Sequence, residues 1–190
     1  MTDQTRPTLL ASCASASTAA EARFRVNYPN SGRRRSRIFA LDGPAAEAMF
    51  AITEAPWQGA HFLAVGSGGD VDPEATGADD LPLSHPDGTG AKLSEEIEGA
   101  DVVVLISSTG ENAGAAEVIA REAYHRHIMC GGLALAGTAL ANGRGSGAPA
   151  SSPDSDPTSH VVNTLRPFAS ILVVARDADF IPAMLNALRA

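Results

Sequence analysis

Apolar positions along this chain fall into short unbroken runs separated by stretches of helical spacing. "RIFALDG" at 37–43 is apolar from Ile38 to Leu41 and predicts a strand that ends in Asp42 and Gly43. Pro44 follows where a first helical turn tolerates it, and Ala45, Met49, Phe50, Ile52 and Thr53 then leave one apolar stripe before Pro56. "AHFLAV" at 60–65 predicts a second strand, ended by the glycine-rich "GSGGD". Residues 71–90 are acidic and full of Pro, Gly and Asp, which predicts a long surface connection with at most a short helix. "AKLSEEIEGAD" resumes helical character and delivers the chain to the apolar run at 102–106. Beyond it, Ala113, Ala116, Ile119, Ala120, Ala123 and Tyr124 fall on neighbouring turns of one helix. "HIMCGGLALAG" predicts another strand, in which Gly131 and Gly132 mark a bulge or a close approach. The chain ends with "SILVVA", read as a second continuously apolar strand, and with a helix capped by Asp179 whose Phe180, Met184, Leu185 and Leu188 face inward.

Strands alternating with helices imply parallel pairing with helices on both faces, so the expected fold is a three-layer, Rossmann-like α/β sandwich with a mainly parallel sheet. It occupies 36–190 as a single domain. Residues 1–35 read as a loose extension in which "ARFRVNY" alternates like an edge strand, and 141–160 has the composition of a linker, a flexible excursion from the domain.

Charge narrows the partners. A net charge of -8 leaves no concentrated basic face for nucleic acid, and "GRRRSR" at 32–37 reads as a solvated edge. Cys13 and Cys130 suggest neither a disulfide framework nor a zinc site, which fits a reduced, cytoplasmic setting. "TLLASC", ending at Cys13, has the look of a lipoprotein cleavage box, but the apolar stretch before it is short and Asp3 replaces a basic flank, so export is not expected. No run approaches the ~18 apolar residues of a membrane-spanning helix.

The chemistry concentrates in the turns after the strands. A helix N-terminus offers unpaired amides and a partial positive charge, and it accepts an anion where the side chains are small. Ser107, Ser108, Thr109, Gly110, Asn112 and Gly114 meet that condition, with Asn112 placed either to cap the helix or to donate to a ligand; Glu111 competes for the same amides. In a parallel sheet the turns at Asp42-Gly43 and Gly66-Ser67-Gly68-Gly69-Asp70 share this rim. No triad or metal cluster is evident. His125 and His127 fall at the far end of their helix, His61 opens a strand at the opposite rim, and Cys130 reads as a small core residue.

"GADVVVLISSTGENAGAAEVIAREA" resembles the tubulin/FtsZ family, where an acid-led strand runs into a glycine-threonine loop and a helix; "GPAAEAMFAITEAPWQGAHFLAV" and "LRPFASILVVARDADF" are similar to two further FtsZ segments, in the same order. The resemblance implies a domain binding GTP or GDP through Gly43, Gly66, Ser67, the 107–114 loop and Asp177, and working by self-association or with a protein partner. Its glycine-rich loops are shortened, and the chain ends where the family's second domain would begin, so GTP hydrolysis is not expected to survive. The same 107–114 stretch also resembles the sugar isomerase (SIS) fold, which implies instead that Ser107, Ser108 and Thr109 grip a sugar phosphate. A flavin or nicotinamide domain is a third reading, for which no acid-after-strand fingerprint is evident.

Overall fold

A computed structural model describes residues 33–57, 59–66, 71–136 and 158–190; the predicted strand at 22–28 and most of the 141–160 excursion lie outside them. The order of elements is β1 (Ser36–Ala40), α1 (Gly43–Phe50), β2 (Ala60–Val65), β3 (Leu83–Ser84), β4 (Gly90–Ala91), α2 (Leu93–Ile97), β5 (Val102–Ser107), α3 (Ala113–His125), β6 (Met129–Leu135), α4 (Ser159–Leu165), β7 (Ile171–Ala175) and α5 (Phe180–Leu188). The seven strands form one sheet in the order β4-β3-β2-β1-β5-β6-β7. β2, β1, β5, β6 and β7 are mutually parallel, and the short β3 pairs antiparallel with both β2 and β4. The expected three-layer, Rossmann-like sandwich is therefore present.

Alternation along each strand divides the core between the two faces. Phe39, Leu63, Val103 and Leu105 pack with Leu93 and Ile97 of α2, with the apolar face of α3, and with Val161 and Leu165 of α4. Ile38, Phe62, Val104 and Ile106 pack on the other face with Ala45 and Met49 of α1 and with Ile181, Met184 and Leu185 of α5. β1 and β5 sit at the middle of the sheet under helices on both sides, and both are buried along their whole length, Ser36 and Arg37 at the start of β1 included.

Several expectations are corrected. The 71–90 connection contributes two strands: a 3-10 turn at Ala78–Asp80 leads into the β3-β4 hairpin, which extends the sheet beyond β2. Two-residue strands carry no readable periodicity. Arg37 of "GRRRSR" is buried inside β1, where its guanidinium donates to the Glu96 carbonyl and lies 3.5 Å from the Glu96 carboxylate. β7 is an edge strand of mixed exposure. In α5 Phe180 faces outward and Ile181 takes the core position, and Asp179 makes no side-chain capping bond. Residues 158–160 open α4, with Thr158 buried at its start.

Gly131 and Gly132 cause no bulge; both pair in register with β5 and β7. Gly132 is the one needed for close approach. A Cβ on Gly132 would stand 2.5 Å from Leu172 Cδ1 and 3.0 Å from Leu165 Cδ1, whereas one on Gly131 would meet Met184 Cε at 3.4 Å. Urea denaturation should therefore separate the pair: Gly132→Val loses about 2–3 kcal/mol through overpacking, and Gly131→Ala loses less than about 1 kcal/mol.

Candidate functional site

The sheet order reverses direction between β1 and β5: the chain leaves β1 for β2 on one side and later returns to β5 on the other. In doubly wound sheets this switch point opens a crevice beyond the strand ends, the usual seat of a ligand. Here the register Ala40↔Ile106 sets the ends of β1 and β5 side by side, with Asp42 on one turn and Ser107–Gly110 on the other. Ala40↔Ala64 brings the end of β2 to the same rim.

Asp42 fills the crevice. Its backbone is extended and its side chain is 3% exposed. Oδ1 accepts from the Ala45 amide at 3.0 Å and so caps α1. Oδ2 accepts from Ser107 Oγ at 3.0 Å, from the Ser108 amide at 2.7 Å and from the Thr109 amide at 3.0 Å. The Gly110 amide donates to Ser107 Oγ at 3.1 Å and the Glu111 amide to Thr109 Oγ1 at 3.4 Å. Four successive amides, 108 to 111, thus have acceptors supplied by the protein itself. The expectation that this turn holds free amide hydrogens toward an incoming anion is corrected: the anion is the carboxylate of Asp42.

Asn112 is not the side-chain cap of α3. It sits at φ 58°, ψ 35° ahead of α3 and makes no side-chain capping bond; its Nδ2 donates to the Leu41 carbonyl at 2.6 Å. With Asp42 this gives a reciprocal clasp, in which each central strand end holds the turn of the other. Gly110, at φ 80°, supplies the left-handed residue that lets the turn reach back to Ser107.

Gly114 and Gly66 answer to packing as well. A Cβ on Gly114 would lie 1.8 Å from the Val71 carbonyl oxygen, so the 71–73 segment is laid directly over the first turn of α3. Arg121 fixes the same segment by donating to the Pro73 carbonyl and pairing with Glu74 at 3.5 Å. Gly66 donates to the Pro82 carbonyl at 2.7 Å, and its Cβ would meet Pro82 at 3.2 Å, so it belongs to the seam between β2 and the hairpin. Gly43 is exposed with open space around it, and Ser67 lies outside the described residues. Asp177 follows β7, two strands from β5 and so roughly 10 Å across the sheet, and is not brought into the Asp42 cluster.

A cleft of about 440 Å³ does lie beside this rim, lined by Asp72, Pro73, Gly114, Glu117, His160 and Thr164 together with Val71 and Ala113. Among the described residues its carboxylates come from Asp72 and Glu117, and neither Lys nor Arg lines it. Elsewhere, Cys130 is buried, and desolvation pushes its thiol up to about 12, so it stays protonated and inert. His61 lies near the start of β2, His125 and His127 are on the surface, and among the described residues no group of His, Cys, Asp or Glu could hold a metal ion.

The residue missed as a site was Asp42, although it carried a signal: a single acid wedged between the apolar run Ile38–Leu41 and Gly-Pro. No protein-family model matches the sequence, and no curated protein shows significant sequence similarity to it.

Two substitutions test these assignments by chemical or thermal denaturation. Asp42→Ala strands donors that are sealed from water and should cost about 3 kcal/mol, well above the ~1 kcal/mol of an ordinary lost N-cap. Gly114→Ala should be destabilising by about 2 kcal/mol or more; helix propensity alone would make it stabilising by up to ~1 kcal/mol, so the sign of the change reports the Val71 contact.

Proposed function

We infer that this protein is an FtsZ-like domain with a degenerate nucleotide site, acting through association with itself or a protein partner and not through turnover of GTP. One observation carries the reading: the switch-point turn that would cradle a phosphate already holds the Asp42 carboxylate on Ser107 Oγ and two amides. An incoming phosphate would have to displace a buried side chain of the same charge. Among the described residues, the neighbouring cleft adds the carboxylates of Asp72 and Glu117, which disfavour a polyanion further. Sugar-phosphate binding of the SIS kind would draw on the same donors and meets the same obstacle. A Rossmann-like sheet freed from its small ligand still offers an extended rigid surface, and association is the function left to it.

Calorimetric titration provides the test. GTP, GDP, inorganic phosphate and a hexose phosphate should give no binding tighter than about 1 mM to the wild-type chain; a micromolar Kd for GTP or GDP overturns the reading. Asp42→Ala, by contrast, vacates an anion position. Phosphate or acetate should raise its melting temperature while leaving the wild type unchanged, since a ligand at ten times its Kd adds about 1.4 kcal/mol to the state that binds it.

A further inference from the structure

The two edges of the sheet are built differently. On the β2 side the sheet ends in a hairpin whose strands are two residues long, and the Glu96 carboxylate beside it gathers Arg37, His61 and His85 at 3.5, 2.9 and 3.4 Å. Short strands and charge are how proteins close an edge against pairing. β7, at the other end, is five residues long, reads ILVVA, and has no charge, proline or bulge. Among the described residues nothing pairs with its outer side.

The large exposed apolar side chains gather around this same strand. Ile171 and Val174, 40% and 57% exposed, are on β7 itself. Phe180, 40% exposed, starts the helix that follows, and Tyr124, 61% exposed, stacks edge-on with Phe168 just ahead of the strand, ring centroids 6.2 Å apart. Together the four present on the order of 400 Å² of apolar surface, about half of the ~800 Å² that each partner contributes to a stable interface, leaving the remainder to the strand edge and its flanks.

Resting on the association reading above, we propose that β7 pairs edge to edge with β7 of a second copy of this chain, antiparallel about a two-fold axis, joining two seven-stranded sheets into one. The occupant follows from symmetry and charge. A two-fold edge contact is self-complementary, since an antiparallel pair meets its own sequence reversed, and the pleat carries Ile171 and Val174 to the two faces of the joined sheet. The chain ahead of β7 carries exposed Arg166; the chain after it carries exposed Arg176, Asp177 and Asp179, one net negative charge. Antiparallel pairing sets the positive end of each copy against the negative end of the other, whereas parallel pairing would set like against like.

Sedimentation velocity of the full chain across about 1–200 µM decides the matter. The wild type should run as a dimer, and Val174→Lys and the double variant Ile171→Lys, Val174→Lys should dimerise at least 10-fold more weakly. Both positions are already exposed, so circular dichroism spectra should match the wild type, as should thermal melts at concentrations where every chain is monomeric. A wild-type chain that stays monomeric throughout, or a double variant that dimerises as tightly as wild type, overturns the self-pairing. Neither result bears on the nucleotide titration, so failure of the self-pairing and failure of the degenerate-site reading are read separately.

Discussion

The Asp42 carboxylate is the constraint on which the middle of this structure depends. Where the winding of an α/β sheet changes sides, the turns after the two central strands diverge to opposite faces, here into α1 and α3. Their backbone amides are left pointing into the gap, and buried amides without acceptors are costly, about 1–3 kcal/mol each. Many folds of this kind let a phosphate supply the acceptor. This one covers both turns with one side chain: Oδ1 serves α1 and Oδ2 serves the turn after β5. Asn112 returns the favour by binding Leu41, so the clasp closes in both directions. A buried charge is tolerated there because four donors replace its water, not because a cation stands opposite.

Much of the fold was legible because burial imposes strong patterns. A strand under helices on both faces is apolar along most of its length, and the runs Ile38–Ala40 of β1 and Val102–Ile106 of β5 announce themselves on that ground. The pattern weakens wherever burial does. "SILVVA" has the composition of a central strand yet lies at an edge, and nothing in five apolar residues says whether a neighbour stands on one side or two. The β3-β4 hairpin is held by its position against β2, which no local spacing encodes. Phe180 and Ile181 differ by one residue, about 100° around a helix, and without a firm N-cap at Asp179 the phase of that helix could not be fixed from sequence.

The candidate site was legible in place but not in occupancy. Ser107, Ser108, Thr109 and Gly110 were found because small residues after a buried strand are visible locally. What they hold is decided by Asp42, sixty-five residues from Ser107, and by a register between β1 and β5 that appears only on folding. Gly114 shows the same ambiguity. A glycine one residue into a helix fits a phosphate loop and fits equally a carbonyl laid over the helix, and the Val71 oxygen selects the second use. The small-residue loops behind the tubulin/FtsZ and SIS resemblances can therefore persist for packing, with no ligand required to retain them.

The asymmetry of the sheet follows from the same economy of partners. Backbone groups at an edge need acceptors and donors as surely as those at a turn, and water can serve them only where the edge is short or well solvated. On the hairpin side, Glu96 draws charge from β1, β2 and the end of β3, and the last strand is too brief to template anything. At β7 no device of either sort is present, and the apolar side chains that a core would bury lie outside it. The polar demands of the centre are met from within the chain by an internal acid, whereas the outer side of β7 has no strand partner among the described residues, and there the proposed second copy would supply one.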